Sequence, residues 1–263
     1  MTWVLAAALG WGGGMAVNLL ADSLPFRRWP ARPRCRACGA PRRPSAWSGI
    51  FERVRGDSRC RFCGAPRGRR PWLVEALAAG FAVWLVLRWP EPFVYLPGLL
   101  VGLVFLLLAV IDVEHRLILR VVVLPAGLVL GGISALQPMR GPTKTMLGGL
   151  AGFGIVWAMY LLGVAFSRWV GRRRGAPLDE VAFGFGDVML GGLIGLVVGW
   201  PGVIIAIVTG VLLAGVFSIG YLLVMWIRRR YHAFMAIPYG PFLLLGASLV
   251  YFGGRTALEA LVR

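Results

Sequence analysis

Residues 99–115 read LLVGLVFLLLAVIDVEH, thirteen uncharged apolar or glycine positions followed at once by Asp112. Extended upstream to Tyr95, the run is long enough to cross about 30 Å of hydrocarbon as a helix. A carboxylate at such a place costs several kcal/mol unless it faces protein or water, which makes it a functional-site candidate by default. A second acid has the mirror-image setting. Gly184-Phe185-Gly186-Asp187 opens a later apolar run, so the two carboxylates can reach one depth and act as one site.

Outward from that run the chain repeats the pattern. Its 263 residues are 58% apolar, with a mean hydropathy of +0.75, more than one soluble core requires. Apolar runs fall at 3–21, 72–88, 95–111, 119–137, 146–167, 187–200, 203–227 and 235–253. The expected fold is an all-α polytopic membrane protein with about eight transmembrane helices, since helices satisfy their own backbone in lipid. The 187–200 run is the shortest, with Trp200-Pro201-Gly202 leaving a tight turn before its successor. No basic leading region or small-residue cleavage site accompanies the first run, so residues 1–21 are expected to remain as a helix. No internal repeat is evident at this level.

The net charge of +17 could indicate nucleic acid, but its distribution argues otherwise. With the N-terminus outside, 23 of the 28 Lys and Arg residues fall on the inner side, 14 of them in 22–71. That asymmetry is the positive-inside rule at work. The expected arrangement is a multi-pass membrane protein with its N-terminus outside, Asp112 and Asp187 both at the cytoplasmic face and no nucleic-acid partner. Some of the basic charge could also hold anionic lipid head groups.

Segment 22–71 is rich in Arg, Pro and Gly and short of core residues, so it needs a staple. Cys35, Cys38, Cys60 and Cys63 supply one, as two Cys-x-x-Cys knuckles with the donor set of a tetrahedral zinc site. A redox pair or free thiols are the alternatives, and a reducing cytosol disfavours two disulfides. A closed four-sulfur site leaves no position for water, so the Zn2+ is expected to be structural. The domain plan is thus a first transmembrane helix at 1–21, a cytoplasmic zinc module at 22–71 and a seven-helix membrane domain at 72–263.

Two carboxylates at one interface suit peptide hydrolysis, one as general base on a water while its protonated partner polarises the carbonyl. Gly184 and Gly186 would let a substrate strand lie close to Asp187. The plainer readings are Asp187 as a helix cap and Asp112 as an interfacial charge paired with His115 or Arg116. Glu114 is the second choice for the first acid. Glu75, at the inner mouth of the second run, is a candidate to bind an amine or to pair with an arginine of the zinc module. Asn18 is expected to hydrogen-bond between helices.

The ordered set of motifs resembles the bacterial type IV prepilin peptidases, membrane aspartic peptidases marked by Gly-x-Gly-Asp. The resemblance runs from Gly14 to Asn18 and Leu24-Pro25 through both cysteine knuckles. It continues through Pro71 to Glu75, Ile111 to His115 and Ile237 to Phe242. It implies catalytic roles for Asp112 and Asp187, zinc at the four cysteines and cleavage of the leader from prepilins or pseudopilins. It also implies methylation of the new N-terminal amine with S-adenosylmethionine. The rival classes are an ion-coupled transporter that uses the two aspartates as cation sites and a non-catalytic zinc-ribbon membrane adaptor.

Overall fold

Each of the eight apolar runs holds a helix in a computed structural model of the chain, with residues 119, 137, 199–200 and 238–239 outside the helices. The described residues are 2–27, 29–30, 32–43, 47–56, 59–138, 140–174, 184–229 and 238–261, with backbone alone for 174 and 254–261. Ile237, Arg230 and Arg263 lie outside them, as do the side chains of Arg174 and Arg255. In chain order the helices are α1 (Trp3–Ser23), α2 (Gly49–Val54), α3 (Arg70–Arg88), α4 (Pro92–His115) and α5 (Arg120–Leu136). They continue as α6 (Gly141–Arg174), α7 (Phe185–Val198), α8 (Gly202–Ile227) and α9 (Gly240–Leu261). Two isolated β-bridges, Arg34 with Pro41 and Arg59 with Pro66, are the non-helical pairings among the described residues. α1, α3, α4, α6 and α8 are long and apolar enough to cross a membrane, while α5, α7 and the described part of α9 are shorter apolar helices.

Two boundaries differ from the sequence expectation. α6 runs to Arg174, so Arg168, Arg172 and Arg173 lie on a helix rather than in a loop that begins at 168. Hydropathy marks where hydrocarbon ends, whereas a helix ends only where a breaker or cap stops it; arginine is a good helix former. The last helix begins at Gly240, because Pro241 lacks an N–H and is tolerated only in a first turn.

The chain forms two compact units, Met1–Ile111 and Asp112–Arg263. In the first, α1 lies on α3 along a face of small residues. A Cβ placed on Gly10 would be 2.5 Å from Ala82 Cβ, and one on Gly14 would be 2.7 Å from Glu75 Cα. The backbones can approach this closely because those residues carry no side chain. The same face, continued by Val17, Asn18 and Ala21, is buried and brings Asn18 to the start of α3. In the second unit, α7 packs against α5, α6, α8 and α9. Val188, Leu190, Leu193, Ile194 and Val197 are buried there.

Candidate active site and metal centre

Asp112 lies in the last turn of α4 and Asp187 in the first turn of α7. The fold brings them near enough for the Asp187 charge to act on Asp112, as that of Arg116 also does. Asp112 is 6% exposed, and its Oδ2 has no hydrogen-bond partner among the described residues. Its near neighbour is the start of α9: a Cβ on Gly240 would be 2.5 Å from that oxygen. The Tyr239-Gly240-Pro241 turn therefore does more than break a helix, since it presses bare backbone against the acid.

Asp187 sits at the third helical position of α7, and its Oδ2 accepts from the backbone N–H of Gly184 at 2.8 Å. The carboxylate thus reaches back to the N-cap residue, the second half of a capping box. Capping occupies Oδ2, and Oδ1 accepts no hydrogen bond among the described residues. The two glycines differ in surroundings. Gly184 is exposed, whereas a Cβ on Gly186 would meet Ile118 Cβ at 2.8 Å, so the bare face of Gly186 receives the α4–α5 connection. Arg120 lies over the Phe185 ring at 5.5 Å and braces the same turn. Glu114 Oε2 lies 3.8 Å from His115 Nε2, and with its side chain 21% exposed Glu114 is less buried than Asp112 at this helix end.

The cysteines form a second centre in the other unit. Their four sulfurs lie within 4.8 Å of one another, with Cys35 to Cys63 at 3.7 Å and Cys38 to Cys60 at 3.8 Å. A tetrahedron with Zn–S bonds of about 2.3 Å has S···S edges of about 3.8 Å, so the donors fit Zn2+. Backbone N–H groups of Cys38 and Ala37 point at the Cys35 sulfur and lower its thiol to about 6. Those of Cys63 and Phe62 lower the Cys60 thiol in the same way. Thiolates are what a zinc ion needs.

The knuckles also correct the expectation that no repeat is present. Arg34 to Arg42 and Arg59 to Arg67 differ only at Ala37 and Phe62, and each closes with the same β-bridge and a left-handed glycine, Gly39 or Gly64. The repeat is completed by one acid. Glu52, 6% exposed, binds Arg42 at 3.0 Å through Oε1 and Arg67 through Oε2, so the last residue of each copy grips the same carboxylate. The signal was present in the sequence: Glu52 is one of three acids in a segment with fourteen arginines.

Glu75 is fully buried and accepts five hydrogen bonds. Oε1 takes Gly49 N at 2.7 Å and Asn18 Nδ2 at 3.3 Å. Oε2 takes Ser48 Oγ at 2.6 Å, Trp11 Nε1 at 3.1 Å and Ile50 N at 3.1 Å. The carboxylate ties α1 and α3 to the start of α2, where Trp11 also meets Phe51 edge to face at 5.0 Å. Its capacity is used within the protein, so these residues do not offer Glu75 as a free ligand for an amine.

Residues 99–219 match the model of the type IV leader peptidase family. Proteins named prepilin leader peptidase/N-methyltransferase are similar to the chain. One from Aeromonas salmonicida (strain A449) is 27% identical over 185 residues, 69% of this chain, and one from Aeromonas hydrophila is 26% identical over 236 residues, 89% of it. The chain spans 57% of the length of the first and 67% of the second. No solved structure matches it.

Proposed function

We propose that this chain belongs to the type IV leader peptidase family, whose model matches residues 99–219, and is a membrane aspartic endopeptidase that removes leader peptides from type IV prepilins or pseudopilins. The observation that carries the proposal is the convergence of Asp112 and Asp187 from two separate helix ends. One carboxylate takes a proton from water as the oxygen attacks the scissile carbonyl. The other, protonated, donates to the carbonyl oxygen; as the tetrahedral intermediate collapses it takes that proton back, and the proton drawn from water passes from the first carboxyl to the departing amine. Gly184 provides an exposed backbone site beside Asp187 where a substrate strand could lie.

In this reading eight helices cross the bacterial inner membrane, the N-terminus is outside and the acids face the cytoplasm, in keeping with the distribution of arginines. The substrate's apolar helix lies in lipid and presents its leader junction at that face. Zinc holds the two knuckles of the 22–71 module together, and Glu75 anchors that module. Methylation of the new amine with S-adenosylmethionine is the second activity proposed, suggested by the relatives' names; no step of it is assigned to Glu75, whose hydrogen-bonding capacity is filled.

The test is leader cleavage of a prepilin in detergent by the wild type, Asp112→Asn and Asp187→Asn. Each variant is expected to lose at least about 100-fold in rate. Wild-type cleavage by either one removes that acid from the mechanism. Full biological activity of an Asp187→Ala strain would favour the adaptor reading, and proton or cation flux through the purified protein would favour the transporter. Labelled-methyl incorporation on the same material tests the second activity separately.

A further inference from the structure

Where the zinc knuckles meet the ends of α1 and α3, a cavity of about 140 Å3 opens among Asp22, Arg34, Arg36, Arg42, Arg67 and Arg70. Among the described residues Asp22 binds Arg36 at 2.9 Å and Arg70 at 2.8 Å, and Glu52 binds Arg42 and Arg67. Arg34 is exposed and makes no ion pair among the described residues. Five guanidinium groups and one carboxylate line the hollow, and this excess of positive charge favours entry of an anion.

The position of the hollow narrows the choice of anion. Asp22 is the last residue but one of α1 and Arg70 is the first of α3, and both helices are long and apolar enough to cross a membrane. The cavity therefore lies at the level of lipid head groups. Its volume exceeds the roughly 30 Å3 that a water occupies, leaving room for a phosphate group. Guanidinium forks match phosphate oxygens two at a time. An adjoining cavity of about 170 Å3 shares Asp22, Pro33 and Arg67, and continues along Met15, Ala16 and Leu19 of α1. That wall suits the glycerol and first methylenes of a lipid, which a free phosphate lacks. A cationic sulfonium cofactor would be repelled by the same arginines.

We propose that this pair of cavities binds one anionic phospholipid, with its phosphate among Arg34, Arg36 and Arg70, so that the lipid bridges the zinc module and the membrane helices. The proposal does not depend on the peptidase reading.

The test uses the full-length, zinc-loaded protein in a non-ionic detergent. Phosphatidylglycerol, phosphatidylcholine and inorganic phosphate are each titrated while bound lipid is counted by native mass spectrometry. Saturable binding of phosphatidylglycerol at least about tenfold tighter than phosphatidylcholine is expected, with Arg34→Gln weakening it about fivefold and Arg228→Gln leaving it unchanged. Retained zinc reports that Arg34→Gln is folded; if zinc is lost, the more peripheral Arg36→Gln replaces it, with the same fivefold loss expected. Phosphatidylglycerol binding at wild-type strength in the folded variant overturns the proposal, as does equal binding of phosphatidylcholine. Inorganic phosphate that binds as tightly as phosphatidylglycerol overturns the lipid assignment in favour of a free-anion site.

Discussion

Replacing Glu75 by Gln separates an anchor from a chemical group, because the five donors divide unevenly between its oxygens. With the new NH2 on the Oε2 side, Ile50 N loses its acceptor and cannot turn round, whereas Trp11 Nε1 keeps Ser48 Oγ at 3.2 Å and the Ser48 hydroxyl can rotate. With the NH2 on the Oε1 side, Gly49 N loses its acceptor, and Asn18 can accept from the new NH2 only by a flip that gives up its 2.8 Å bond to Pro71 O. Either arrangement strands at least one buried donor, which costs about 1–3 kcal/mol. Glu75→Ala strands Gly49 N and Ile50 N together, while Trp11 keeps Ser48 Oγ and Asn18 keeps Pro71 O, and is expected to cost about 2–6 kcal/mol.

These costs should appear locally. Hydrogen exchange at residues 49–54 of the zinc-loaded protein is expected to accelerate about 5- to 150-fold in Glu75→Gln, the equivalent of that free energy. Glu75→Ala should be faster still, with zinc retained because the cysteines do not touch this cluster. The reasoning fails if Glu75→Gln leaves exchange and thermal midpoint at wild-type values. Unchanged stability together with abolished methyl incorporation would make Glu75 a group of the transfer reaction instead.

A methyl group at Gly240 would lie 2.5 Å from Asp112 Oδ2, so Gly240→Ala must displace the carboxylate. Leader cleavage is expected to fall about 100-fold, the usual consequence of a 1 Å misplacement, with helical circular dichroism unchanged; wild-type turnover would refute the contact. Zinc chelation is expected to speed hydrogen exchange across 22–71 while the amides of α5 to α9 stay protected, and collapse of both regions would refute a local structural role for the metal. In the metal-free module, Cys35 titrates at about 6 instead of the ordinary 9.0. Its thiolate therefore contributes fully above about pH 9, and the contribution disappears as pH falls through about 6. A module stability that stays flat from pH 9 to 5 would contradict that environment.

The helices were legible because an apolar run of membrane length has few alternatives to helix, and the acids were legible because they interrupt such runs. Their neighbours were not. Gly240 was readable as a break through Pro241, but its approach to Asp112 depends on how α9 returns to the end of α4, which no local pattern encodes. Glu75 was ambiguous for a similar reason: its donors come from Trp11, Asn18 and residues 48–50, which meet only after the zinc module docks. The repeat of Arg34 to Arg42 at Arg59 to Arg67 was visible yet too short for the periods by which repeat folds announce themselves. Its consequence, two arginines on one buried Glu52, required both copies to fold toward each other.

The placement of Asp187 rests on a helix that is too short for its setting only if lipid is taken as its surroundings. Fourteen residues give α7 about 21 Å, less than the roughly 30 Å of hydrocarbon, but the buried side chains of α7 meet protein. Toward α6 backbone meets backbone at two points: Cβ atoms on Gly191 and Gly195 would strike the backbone of Gly152 and Gly148, and the reverse holds, with the Val156 side chain also against Gly191. A carboxylate in the first turn of such a helix is positioned by backbone against backbone, which does not vary with rotamer. Gly195→Leu should therefore wedge α6 from α7, costing at least about 1–3 kcal/mol and reducing cleavage with it. Leu212→Ala on the exposed face of α8 should change neither appreciably, since that side chain is 64% exposed. Wild-type stability and cleavage in Gly195→Leu would mean that something other than this glycine contact holds Asp187 in place.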